Sequence, residues 1–278
     1  MVRNMLILMD GSADAEKLLD CSTKIFPGKE DHFKGAFVDG IIGKNLDQVF
    51  DFPTNLNTQF TRSEIIEKIL HTNLNNSSEY ISRFVSKCEE LALKTKVYIT
   101  EEDVNEELVN ESLFNDLFLI GKDIFSRPDI DAQSFEALNF LLHNTKCPIL
   151  LLSCEQISFQ NVVLIYDGSN KSFEAIKLFT YLMGEQLQVN KVTINIVVTE
   201  ASSENEKAVI EYLKMYKQHF YVHRVYPDNY FDELRGLIRN MNSCLLVTGV
   251  NKNEILEDII FNKEQSFFMH GQRSIFLG

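Results

Sequence analysis

Two tripeptides in this chain have the make-up of a ligand-facing turn. Asp10-Gly11-Ser12 closes the apolar run MLILM, and Asp167-Gly168-Ser169 closes VVLIY. In each, the carboxylate can accept hydrogen bonds from a ribose hydroxyl or an adenine amine. The Gly permits a tight turn, and the Ser can cap the helix that follows. The same three residues are also ordinary strand-to-helix turn chemistry, with no ligand required. Both readings stand at this point.

Other groupings point less far. Gly35-x4-Gly40 has a P-loop's first spacing, but Ile41 stands where the phosphate-binding Lys belongs, and Lys44 is followed by Asn45. There is no Gly-x-Ser-x-Gly nucleophile elbow, and Ser12 and Ser169 have no His near them in sequence. His219 and His223 are four residues apart. On a helix they could share a metal, but in FYVHRVY, which reads as a strand, they stand about 13 Å apart at ~3.3 Å per residue. Glu101, Glu102, Asp103, Glu106 and Glu107 form an acidic run suited to a solvated loop and helix start. The five cysteines lie singly in apolar surroundings with no CxxC, which suits reduced thiols packed in a core and a cytoplasmic location. The residues therefore predict neither a catalytic constellation nor a metal site.

The elements that must position the two Asp-Gly-Ser turns repeat along the chain. The first turn recurs at an offset of 157 residues, from 10 to 167. Each copy continues into a helical pattern, through Ala15, Leu18, Leu19 and Ile25 in one and Ala175, Ile176, Phe179 and Leu182 in the other. DLFLIGK at 116–122 matches CLLVTGV at 244–250, with Gly121 and Gly249 at the strand ends and an offset of 128. PILLLS at 148–153 matches SIFLG at 274–278. These pairs divide the chain into two copies, 1–155 and 156–278, the second lacking a stretch near 40–62 that reads as a long loop.

Within the first copy, strands are predicted near 4–9, 33–38, 96–100, 116–121 and 148–153, with helices near 12–25, 62–94, 104–114 and 132–144. In the second, strands are predicted near 161–166, 191–198, 220–226, 244–249 and 274–278, with helices near 170–184, 203–218, 229–241 and 254–269. Short apolar, β-branched runs alternating with helices imply parallel sheets wound by right-handed crossovers. In such sheets, ligands bind beyond the carboxyl ends of the strands, where both Asp-Gly-Ser turns lie.

Composition sets outer bounds. Of 278 residues, 45% are hydrophobic and 24% charged, the make-up of globular domains with real cores. Lys and Arg number 27 against 40 Asp and Glu, a net charge of −13. That disfavours nucleic acid and anionic membranes as partners. The acidity is concentrated in residues 1–155, which hold 15 basic and 26 acidic groups. The run Met5–Met9 is broken by Asp10 and is too short for a signal-peptide core, and no stretch reaches membrane-spanning length.

A strand ending in Asp-Gly-Ser, an amphipathic helix, a later strand ending in Gly, and Cys147-Pro148-Ile149-Leu150 opening the last strand resemble the universal stress protein domain, here in tandem. The resemblance implies an α/β fold of the adenine nucleotide alpha hydrolase-like kind, with five parallel strands per domain. It implies association through the last strand, so that 148–153 and 274–278 would pair antiparallel in an internal pseudo-dimer, with a further homodimer open. Nucleotide-binding members carry Gly-x2-Gly-x9-Gly-Ser/Thr after the fourth strand, whose glycines let backbone amides reach phosphates. This chain keeps only the first Gly of each copy. Ile124 and Lys252 stand at the second position, and Phe135-Glu136 and Phe261-Asn262 fall where Gly-Ser is expected. What carries over is Asp10, Gly11, Ser12, the backbone of Val38, and Gly121, with Asp167, Gly168, Ser169, Val198 and Gly249 in the second copy. The resulting expectation is a non-enzymatic stress-response or regulatory protein that binds a protein partner or small molecule and no cofactor. The alternative is a member that binds ATP or another adenine nucleotide, with weak or no hydrolysis.

Overall fold

The computed structural model describes residues 3–9, 13–28, 31–37, 77–91, 94–99, 104–122, 124, 140–154, 159–189, 193–198, 203–216, 220–225, 230–239, 241, 243–249 and 273–278. The chain divides into two compact units, Met1–Cys147 and Pro148–Gly278.

In the first unit, β1 (Asn4–Met9), β2 (His32–Phe37), β3 (Lys94–Ile99) and β4 (Leu117–Gly121) form parallel strands in the order β3-β2-β1-β4. They are joined through α1 (Ala13–Ile25), α2 (Ser77–Glu90) and α3 (Val104–Ser112). Met5 to Met9 and Leu117 to Ile120 are all buried, as expected of strands covered on both faces. Leu18, Leu19 and Ile25 turn the apolar stripe of α1 inward.

In the second unit, β6 (Asn161–Tyr166), β7 (Thr193–Val198), β8 (Tyr221–Arg224), β9 (Cys244–Thr248) and β10 (Arg273–Leu277) are parallel. Their order, β10-β9-β6-β7-β8, repeats that of the first unit and adds a fifth strand. They are joined through α4 (Asn170–Val189), α5 (Ser203–Lys214) and α6 (Tyr230–Arg239). Ala175, Ile176, Phe179, Leu182 and Met183 bury one stripe of α4 at helical spacing. Phe179 meets Phe276 of β10 edge to face at 5.6 Å between centroids. Arg273, three residues earlier on β10, reaches the Ile238 carbonyl of α6 instead. Residues an odd number apart on a strand face opposite ways, so helices cover both sides of this sheet.

Strand β5 (Ile149–Leu152) runs antiparallel to β10, pairing Leu151 with Ile275, Leu150 with Phe276 and Ile149 with Leu277. This is the antiparallel pairing expected of 148–153 and 274–278. It groups β5 with the second unit, and the Ser153 amide donates to Ser274 Oγ at 3.1 Å just past its end.

Some boundaries differ from the sequence expectation. The helix expected through residue 94 ends at Glu90, because β3 enters its ladder with β2 at Lys94, opposite His32. The helix expected over 203–218 ends at Lys214, where Met215 and Tyr216 turn back onto the Tyr212 and Leu213 carbonyls. The helix expected over 104–114 ends at Ser112, with Leu113 and Phe114 in a turn, while α4 runs on to Val189. Residues 140–144 are helical, and the rest of the 132–144 helix, the 254–269 helix and the 40–62 loop lie outside the described residues.

The first unit carries a buried ion pair at the amino ends of β1 and β2. Arg3 Nε and Nη2 donate to Asp31 Oδ1 and Oδ2 at 3.1 and 3.0 Å, and the Arg3 amide donates to Oδ1 at 3.1 Å. The two side chains are 4% and 0% exposed, and the guanidinium stacks 5.0 Å from the Phe26 ring. Replacing one partner leaves the other charge buried, at a cost of about 3–5 kcal/mol. Asp31→Ala is expected to lower the unfolding free energy of the full chain by that order in a urea titration. A fragment of residues 1–155 has β5 but not β10, and its exposed edge is expected to make it self-associate on size exclusion, where the full chain does not through this edge.

Candidate functional site

The second unit brings five of its expected site residues together. β6 lies between β7 and β9, so Asp167, Gly168 and Ser169 leave the sheet beside Val198 on one side and Gly249 on the other. Gly168 has φ of 84°, the left-handed turn that an L side chain rarely takes. The turn then closes on itself. The Ser169 amide donates to Asp167 Oδ1 at 2.9 Å, and the Ser172 amide donates to Ser169 Oγ at 3.1 Å, capping α4. Ser172 Oγ lies 3.3 Å from Ser169 Oγ and donates to the Ser169 carbonyl at 3.0 Å.

These bonds decide what the Asp167 carboxylate is available for. Half-burial pushes its pKa up, but the Ser169 and Ser172 hydroxyls and the local amides together outweigh that and hold it below the usual 3.8. The carboxylate that could have read a ribose or an adenine is already engaged by its own turn. It also places a negative charge at the start of α4, which suits the helix dipole. Its charge and burial raise the neighbouring Tyr166 hydroxyl, burial being the larger cause.

Gly249 closes the other side. A methyl group there would lie 2.6 Å from the Lys171 carbonyl carbon and oxygen and 2.8 Å from the Ser172 amide nitrogen. The end of β9 therefore packs backbone to backbone against the first turn of α4, which only Gly allows. The Val198 carbonyl accepts from the Val225 amide at 3.0 Å and so continues the ladder with the next strand.

In the first unit, Asp10, Gly11, Ser12 and Val38 lie outside the described residues. Gly121 is described, and its surroundings are the opposite of those at Gly249. Among the described residues, a methyl group there would meet only Leu18 Cδ2, at 3.9 Å, an ordinary contact. Ile124, at the family's second-glycine position, is 6% exposed and turned into the protein. Lys252, Phe135, Glu136, Phe261 and Asn262 lie outside the described residues.

Two residues were not singled out from the sequence. Lys122, directly after Gly121, is 2% exposed, an unusual place for a lysine. Ser172 completes the helix cap, and its signal was the Ser-x-x-Ser spacing after Gly168.

The remaining candidates fall into structural roles. His223 lies on β8 with Nε2 3.1 Å from Asn195 Oδ1, in keeping with a strand rather than a helix; His219 lies outside the described residues. Glu106 and Glu107 occupy the first turn of α3, where carboxylates suit the helix dipole, while Glu101, Glu102 and Asp103 lie outside the described residues. None of the five cysteines is in a disulfide. Burial is the chief cause that pushes Cys147 and Cys244 each up to about 12, so both are protonated and poorly nucleophilic at neutral pH. Among the described residues, no cluster of three or more His, Cys, Asp or Glu could hold a metal ion, and no helix is long and apolar enough to cross a membrane.

No family model and no curated protein matches the chain. Solved structures do. A universal stress protein from Archaeoglobus fulgidus DSM 4304 aligns over 99% of this chain and 95% of its own, at 15% identity and a TM-score of 0.60. A putative universal stress protein from Pseudomonas aeruginosa UCBPP-PA14 aligns over 99% and 92%, at 9% identity and 0.56. A functionally unknown protein from Pseudomonas aeruginosa PAO1 gives the same coverage and identity at 0.57. The chain shares the fold of these proteins along nearly its whole length.

The contrast between the two glycines is measurable. Gly249→Ala forces a methyl into a backbone contact, and such overpacking costs roughly 1–3 kcal/mol. Gly121→Ala meets no obstacle and is expected to change stability by less than about 0.5 kcal/mol. Paired urea titrations of the two variants compare them directly, and equal destabilisation would contradict the difference in packing.

Proposed function

We propose that this chain is a regulatory protein of the universal stress protein type, acting in the cytoplasm by binding a protein partner or small molecule rather than by catalysing a reaction. In this reading it does not bind ATP in the family's usual way. The observation that carries the reading is the self-bonded turn at the end of β6 in the second unit. There Asp167 is held by Ser169 and Ser172, and Gly249 abuts Lys171 and Ser172. A carboxylate bonded within its own turn, with the α4 backbone packed against the neighbouring strand end, supports this reading. Ile124, buried where a phosphate-binding glycine is expected, extends the argument to the first unit. The fold alone assigns no activity.

A second reading has one observation in its favour. Among the described residues, only Leu18 Cδ2 comes within 4 Å of a methyl group at Gly121, whereas the α4 backbone abuts Gly249. An adenine nucleotide bound by this chain would therefore sit in the first unit, with Asp10 as its expected ribose or adenine contact.

The experiment is mass spectrometry of small molecules extracted from the purified protein, followed by calorimetric titration with ATP. The expected result is no co-purifying nucleotide and no heat of binding. Affinity abolished by Asp167→Ala would overturn the proposal at its central observation. Affinity abolished by Asp10→Ala but kept in Asp167→Ala would establish the second reading instead.

A further inference from the structure

One strand of the second unit is held unlike its neighbours. Among the described strands, β8 stands last in the order, beside β7 alone. β6 and β7 bury five residues each, and β9 buries all five of its own. β8 buries none of its four: Tyr221 and Arg224 are exposed, and Val222 and His223 are half-buried. Arg224 pairs with Glu206 of α5, but its side chain stays 67% exposed, so the pair adds little. What fastens β8 is its backbone ladder with β7, which the Val225 amide extends by donating to the Val198 carbonyl at 3.0 Å.

The strand also touches a polar group that the closed sheet leaves short. Asn195 of β7 is 4% exposed. Its Oδ1 lies 3.1 Å from His223 Nε2 on β8. Its Nδ2 is buried as well and has no hydrogen-bond partner among the described residues. A buried donor left unmet costs free energy that water returns on exposure. When β8 leaves, the His223 contact ends and water reaches the amide in its place. The closed position is therefore opposed by the group beside it, and few apolar contacts hold it shut. We infer that β8 is a detachable edge strand, opening from β7 and closing again while the rest of the second unit stays folded. Each opening bares the edge of β7, whose Ile194, Ile196, Val197 and Val198 are buried in the closed form. An apolar edge of that kind accepts an added strand, so β8 is a removable guard over it.

The test is native-state hydrogen exchange of the full chain, followed by NMR across low urea concentrations, with the Val225 amide reporting on β8. Val225 is expected to exchange at least about tenfold faster than the amides of β6 and β9, with a rate nearly flat in urea, because a local opening bares little surface. Ile176 is buried on α4, which packs on β6, β9 and β10. Ile176→Val is expected to speed exchange in β6 and β9 roughly fivefold and to leave Val225 unchanged. Asn195→Leu, similar in size and without the unmet donor, is expected to slow Val225 roughly tenfold. The first two readouts leave β7 and β8 unaltered, so the test stands even if Asn195→Leu does not fold. A urea dependence at Val225 equal to that of β6 and β9, a Val225 rate that follows Ile176→Val in step with them, or exchange that Asn195→Leu does not slow would each overturn the inference.

Discussion

A strand covered on both faces has no solvent to satisfy its amides and carbonyls, so every such group must find a partner inside the protein. Both units meet this demand in the same way at the amino ends of their central strands. The His32 amide donates to the Arg3 carbonyl at 2.8 Å, and the Thr193 amide donates to the Gln160 carbonyl at the same distance. The Asn4 amide goes to Asp116 Oδ2 at 2.7 Å, while the Asn161 amide goes to the Ser243 carbonyl at 3.0 Å. The scheme is shared, but the side chains that fasten it are not. Among the described residues, the Arg3–Asp31 clamp is found in the first unit alone.

The strands were legible in the sequence because burial on both faces leaves a plain mark: runs such as VVLIY and FLIG with no polar alternation. The repeat implied that the two copies share one strand order, as they do, while the order itself came from the structure. Helix ends were less legible. Glu90 and Lys214 are set by where the next strand enters its ladder and by the turn at Met215 and Tyr216, and neither is a local propensity.

The site was half legible. Asp-Gly-Ser announced a turn at a strand end, and the turn is there in the second unit. What the tripeptide could not announce was where the carboxylate would find its hydrogen bonds. Ser172, three residues beyond the motif, helps settle that in favour of the turn itself. Nor could the two matching glycines reveal that Gly249 is pressed against the α4 backbone, while among the described residues Gly121 meets only Leu18. A repeat seen in sequence is a statement about topology.

The antiparallel seam between β5 and β10 joins groups as much as 121 residues apart in the chain, as the Ser153–Ser274 bond records. Contacts of that separation form late, because a long loop must close before they return any free energy. On the ribosome, β5 emerges well before its antiparallel neighbour has been translated. At typical elongation speeds of about 5–20 residues per second, the wait lasts many seconds. A nascent chain of this protein thus passes through an interval in which an apolar strand edge is on offer to chaperones, or to the same strand on an adjacent ribosome of the same messenger RNA.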